Sequence, residues 1–119
     1  MATVESKEIL KRYFGAWTTR NTKVTRELLA DDFQFYFGEA PMGGRTEFLA
    51  ASAYPSAART DLLAEAYDGD TGFQMYASSN GDARVVVVEK LTVLKGKVAA
   101  SSIVTDMAAF QAFMAGSRA

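Results

Sequence analysis

The chain has 119 residues, 49% of them hydrophobic, with 13 basic and 14 acidic side chains and a net charge of −1. That length and composition fit one ordinary globular domain, and so even a charge balance carries no field to hold nucleic-acid phosphates. Cysteine and histidine are both absent, which excludes disulfides, thiol nucleophiles, a Ser-His-Asp triad and any thiolate- or imidazole-ligated metal.

In chain order, Val4 to Thr18 reads as a helix. Ile9, Leu10, Tyr13, Phe14 and Trp17 share one face while Glu5, Lys7, Glu8, Lys11 and Arg12 cover the other, and Thr3 can cap the start. The same N-terminal stretch is charged every few residues, unlike a secretion signal, and no run reaches the length of a membrane span. A cytoplasmic location is therefore expected, with neither membrane nor nucleic acid as a partner. Asn21 and Thr22 break the pattern. A short second helix is expected from Lys23 to Leu29, ended by Asp31 and Asp32, whose short polar side chains compete for backbone groups.

Phe33, Phe35 and Phe37 then alternate with Gln34 and Tyr36, the period of a strand with two distinct faces. Pro41, Gly43 and Gly44 predict a bend, and Thr46 to Tyr54 a third helix stopped by Pro55. Strands are expected near Asp61–Tyr67, Phe73–Ser78, Arg84–Leu94 and Lys97–Thr105. The turn signals between them, Asp68-Gly69-Asp70, Asn80-Gly81 and Lys95-Gly96, are tight enough to make neighbours antiparallel. Asp106 can cap a final short helix with Met107, Phe110, Phe113 and Met114 as its apolar stripe and Gly116 as its end. Helices first and a curled sheet afterwards define an α+β chain.

KRYFGAW followed by RELLADDFQFY, with VVVVEKLTVLKGKVAA later on, resembles the nuclear transport factor 2-like superfamily, which includes SnoaL-like polyketide cyclases and ketosteroid isomerases. The resemblance implies one domain over residues 1–119: a cone-shaped, curved antiparallel half-barrel wrapped around the N-terminal helices, of cystatin-like fold, with an apolar pocket at one end. It also implies homodimers formed through the outer sheet face, and no cofactor. Val86 and Val88 point the same way, because both faces of their strand are apolar and both want cover.

Ketosteroid isomerases hold an oxyanion with a helix-one tyrosine and a protonated carboxylic acid, while a separate aspartate moves the proton. Carried onto this chain, the tyrosine falls on Tyr13 and the neutral acid on Glu89. The proton-moving aspartate falls on Phe37, which cannot accept a proton. Glu89 also stands out unaided, since Val85, Val87, Leu91 and Val93 share its face; if that face is inward, desolvation favours the neutral acid. A solvent-reaching strand end, or a salt bridge with Arg12, Arg45 or Lys90, is the alternative. Tyr13 and Trp17 can instead be plain core residues, as an aromatic stripe on a helix usually is.

Asp31 and Asp32 point opposite ways if extended and cannot grip one ion together, and Asp68 and Asp70 lack the spacing of a calcium loop, so no metal site is expected. Phe33, Phe35, Phe37, Tyr36 and Tyr54 offer an aromatic lining, while Ala99, Ala100 and Ser101 leave room for a void; the last helix can lie across its mouth. The leading expectation is a small apolar or aromatic ligand, with Tyr13 and Glu89 as polar anchors or catalytic groups and Trp17, Phe33, Phe35, Phe37, Tyr54, Leu91 and Ser101 around it. Two alternatives stay open. One is an acid–base isomerase, cyclase or hydratase using Tyr13 and Glu89; the other is a structural dimerisation module with a filled cone.

Overall fold

The computed structural model describes residues 2–116 as four helices and six strands. The helices are α1 (Ala2–Thr18), α2 (Thr22–Leu28), α3 (Arg45–Ala51) and α4 (Met107–Ala115). The strands are β1 (Leu29–Phe37), β2 (Ala40–Gly44), β3 (Arg59–Asp68), β4 (Thr71–Asn80), β5 (Ala83–Leu94) and β6 (Lys97–Thr105). They form one curved, unclosed sheet in the order β2-β1-β6-β5-β4-β3. All neighbours are antiparallel except β1 and β6, which run parallel. This pair joins the helical half of the chain to the hairpin half and seats the aromatic strand beside the long return strand. No helix among the described residues is long and apolar enough to cross a membrane.

The apolar stripe of α1 lies on the concave face, where Ile9, Leu10, Tyr13 and Trp17 are buried. The helix already runs from Ala2, so Thr3 lies within it and is not its cap. Arg20 follows in the left-handed region (φ 62°) and turns the chain. Its guanidinium donates to the carbonyls of Pro55 (2.5 Å) and Ala58 (3.1 Å), tying the α1–α2 corner to the loop before β3. Asn21 caps α2 by accepting from the Val24 N–H.

Asp31 and Asp32 do not end that helix. α2 stops at Leu28, Leu29 is already extended, and both acids lie within β1. Burying Leu28 and Leu29 together forces the chain to straighten there, and the register of β1 against β6 slips between Leu29 and Gln34. The two acids occupy that slip, both exposed, and Asp31 pairs with Arg45 at 3.1 Å. A slip of this kind lets consecutive residues face solvent without reversing the strand beyond it.

The bend expected at Pro41–Gly44 is instead the edge strand β2, hydrogen-bonded to β1 after a turn at Gly38 (φ 61°). Proline and glycine are tolerated there because an outer edge needs no ladder donor. α3 is shorter than expected, ending at Ala51, so Tyr54 belongs to the following loop; the residue before Pro55 is driven out of helical geometry. Glu47 holds the start of α3 by accepting from the Gly44 N–H at 2.9 Å. The three later hairpins turn where the glycines predict, and Lys95 and Gly96 both have positive φ, as a two-residue loop of matched twist requires.

Candidate functional site

The alternation along β5 decides which way its one acid points. Val85, Val87, Leu91 and Val93 are all buried on the concave face, and Glu89, in the same row, is 1% exposed. It meets three hydroxyl groups and no cation. Tyr13 donates to Oε2 at 2.5 Å, Ser101 donates to the same oxygen at 2.6 Å, and Tyr76 donates to Oε1 at 3.2 Å. The single ion pair among the described residues is Arg45–Asp31, on the surface. Salt bridges from Glu89 to Arg12, Arg45 or Lys90 do not form.

Three separate elements bring these hydroxyls together. α1 supplies Tyr13 from its buried stripe, and β4 supplies Tyr76, two residues from Gln74, which sits opposite Glu89 in the ladder. β6 supplies Ser101. Across from Thr92 and Val93 that strand carries Ala99 as an extra residue, and the slip puts Val98 and Ser101 on the same buried side.

Burial raises the Glu89 carboxyl above its ordinary value, and the bonds from Ser101, Tyr13 and Tyr76 offset part of that rise. Burial likewise holds the Tyr13 and Tyr76 hydroxyls well above theirs, reinforced by the carboxylate charge. Tyr54 is raised by burial and then by Glu89. All of these shifts favour a site with no formal charge, in which protons are shared among oxygens at short range. A neutral Glu89 can donate to one hydroxyl, and that hydroxyl's own proton is then free to point elsewhere.

Beside this cluster lies a cavity of about 110 Å³ whose wall is almost wholly apolar. Tyr13, Trp17, Phe35, Phe37, Tyr54 and Glu89 all border it, so six of the residues singled out in the sequence converge on one space. Phe33, Leu91 and Ser101 do not border it. Phe33 packs edge-on against Phe48 at 5.1 Å, Leu91 is sealed in the core, and Ser101 serves the site through its bond to Glu89. Tyr36 lies on the other face of β1, beside a shallow groove with Lys90 and Ser102, as strand alternation demands.

Several residues in the wall carry weak sequence signals. Phe48 of α3 contacts Tyr13, Phe33 and Phe35, with ring centroids 5.1–6.1 Å apart, and anchors the aromatic floor. Its only cue is a single aromatic in a seven-residue helix. Tyr76 was hidden because β4 is inverted: Gln74, Tyr76 and Ser78 face inward, while Phe73 and Met75 face out. Met107 and Phe110 of α4 and Met42 of β2 stand at the cavity's border, in the place expected for the last helix. Among the described residues no group of three or more acids is placed to hold a metal ion.

No family model matches the sequence, and no curated protein matches it. Solved structures do. A candidate ketosteroid isomerase from Kribbella flavida superposes with a TM-score of 0.80 at 22% identity, over 87% of this chain and 79% of its own. A candidate SnoaL-like polyketide cyclase from Jannaschia gives 0.78 at 14% identity, over 98% and 96%. A nuclear transport factor 2-like protein of unknown function from Mesorhizobium loti gives 0.77 at 17% identity, over 89% and 94%. The chain therefore has the nuclear transport factor 2-like fold, shared with ketosteroid-isomerase-like and SnoaL-like structures. At these identities the likeness is one of fold.

Proposed function

We propose that the chain is a one-domain cytoplasmic binding protein that takes a small apolar or aromatic molecule into the cone, with Tyr13 and Glu89 as its polar anchors. The observation that carries this reading is the meeting of an apolar cavity with a buried carboxyl whose partners are all hydroxyl groups. Apolar walls supply affinity for a flat guest, and a small number of placed polar groups orient it. A structural module with a filled cone is less well supported, because about 110 Å³ remains open beside these side chains.

The protein acts as a homodimer through its convex face in this reading. Met75, Val88 and Val104 stand next to one another across β4, β5 and β6, flanked by Phe73 and Val86, and all five are exposed. A contiguous apolar row of this kind favours burial against a second copy.

A second reading, acid–base turnover, has one specific observation in its favour. Tyr13 lies 2.5 Å from a carboxyl that burial inclines to stay protonated, a pairing able to donate to a developing oxyanion. Phe37 borders the cavity where the resemblance would put a proton-moving aspartate, so Glu89 would have to move the proton itself.

Density in the cone of protein crystallised from its own host tests the binding reading, with a solid interior as the result that refutes it. Glu89→Gln separates the two readings once a ligand is in hand. Lost turnover with retained affinity indicates an enzyme, and lost affinity without any turnover by the wild type indicates a binder.

A further inference from the structure

The cavity border contains one polar group that the protein leaves without a partner. Trp17 is 5% exposed, its Nε1 is buried, and that N–H finds no acceptor among the described residues. Phe14, Tyr54 and Tyr76 stand edge-on to the indole with ring centroids 5.1–5.7 Å away, and Trp17 also borders a second, more polar cavity with Arg20, Thr22, Thr25 and Ser52. An unmet buried donor is costly, and native interiors hold few of them. Water is a poor remedy in the cone, because a buried water needs two to four polar partners and this wall is almost entirely hydrocarbon.

The size of the cavity narrows the guest further. A dry protein cavity of about 150 Å³ accepts benzene, and about 110 Å³ is open here, with Met42, Met107 and Phe110 at its border able to yield a little. One ring fits that space, and because the cavity is open on one side a longer guest would extend past its border.

We propose that the ligand seats one ring, aromatic or alicyclic, in the cavity and carries an acceptor oxygen that takes the Trp17 Nε1–H. This rests on the binding reading above and adds to it a donor separate from Tyr13 and Glu89. The indole N–H lies outside the Glu89 cluster, so it can hold an oxygen while the hydroxyls and the carboxyl remain bonded to one another.

Trp17 is the chain's only tryptophan, so protein labelled with ¹⁵N gives a single indole cross-peak. Titration with cyclohexanone and with methylenecyclohexane, which has nearly the same shape and no acceptor oxygen, tests the proposal directly. The expected result is about five- to tenfold tighter binding of the ketone, a downfield move of the indole proton with the ketone alone, and equal affinities in Trp17→Phe. Three results overturn it: equal binding of both probes with an unmoved indole peak, a ketone preference that survives in Trp17→Phe, or rapid solvent exchange of the indole proton in the ligand-free protein. The last would place that N–H in the more polar cavity on the other side of the ring, beside Arg20 and Thr25. In the first two cases the cone still binds a guest and only the Trp17 contact is wrong; if neither probe binds, the pocket reading fails with it. Should Trp17→Phe not fold, the wild-type indole shift decides alone.

Discussion

Removing one hydroxyl from the Glu89 cluster has an effect whose size depends on pH. Tyr13→Phe leaves the ring in place against Phe48 but deprives Oε2 of one of its two donors, leaving Ser101. A hydrogen bond to an ionised group contributes about 1.5–3 kcal/mol and one between neutral groups about 1 kcal/mol. Burial raises the folded Glu89 above the ordinary value of 4.5. The folded protein therefore binds the extra proton, and the stability this gives is complete below 4.5 and lost as pH rises through the folded value. Wild-type stability falls across that window by up to about 1.4 kcal/mol per pH unit. Tyr13 bonds the charged form more strongly than the neutral one, so the variant is weaker by about 1 kcal/mol at the acid end and by about 2 kcal/mol once Glu89 ionises. Glu47 does not confuse the reading: its carboxyl is lowered by the Gly44 backbone bond, so its contribution disappears only below its ordinary value. Urea unfolding followed by Trp17 fluorescence at a series of pH values from 4 to 9 measures both curves. A difference that stays constant across the series would refute the reasoning.

Gly72→Ala would put a Cβ 2.5 Å from Leu10 Cδ1 and 2.8 Å from the Tyr67 ring, and the forced repacking lowers stability by about 1–3 kcal/mol in the same urea assay. Asp106→Ala removes the side chain that accepts from the Ala109 N–H at 3.2 Å; it weakens α4 by about 1 kcal/mol and speeds amide exchange there before elsewhere. Val88→Lys puts a charge in the middle of the exposed row on the convex face, and light scattering should report a monomer where the wild type gives a dimer. A wild-type monomer at micromolar concentration sinks the dimer proposal itself.

The sequence made the concave row of β5 legible because four aliphatic residues in strict alternation fix the direction of the fifth member, Glu89. The same holds for α1, where helical spacing puts Tyr13 and Trp17 on the buried stripe, and for the hairpins, where glycine fixes the turn. β4 was opaque for a physical reason. Its inward residues are Gln74, Tyr76 and Ser78, and its outward ones include Phe73 and Met75. Hydrophobic alternation read in the ordinary way gives the opposite face, and so conceals both Tyr76 and the part of Phe73 and Met75 in the convex row that Val86 and Val88 mark. Of the three inward polar residues only Tyr76 donates to Glu89, while Gln74 donates to the Leu10 carbonyl and the Tyr67 hydroxyl and Ser78 pairs with Thr60, so each inward polar group has its own partner. Slips in register erased other signals: neither the Asp31–Asp32 irregularity nor the extra Ala99 leaves a periodicity to read.

Glu89 is hard to explain as a stabilising residue. A carboxyl withdrawn from water with three neutral donors and no cation sits worse than a hydrocarbon of the same volume would, and the row it interrupts is otherwise aliphatic. Replacing it alone is no fair test, because Glu89→Met strands three buried hydroxyls. The informative variant removes the whole cluster at once, combining Glu89→Met with Tyr13→Phe, Tyr76→Phe and Ser101→Ala. By analogy with buried polar groups exchanged for well-packed apolar ones, that protein should be as stable as the wild type or more so, by about 1–4 kcal/mol. Urea unfolding near pH 8, where the penalty on Glu89 is largest, gives the comparison. A quadruple variant less stable than the wild type by more than about 2 kcal/mol, beyond what the lost serine and tyrosine hydroxyls contribute to packing, would mean that the cluster holds the fold together. Equal or greater stability would mean that four residues on three strands and a helix are arranged at the expense of stability, as groups that meet a ligand commonly are.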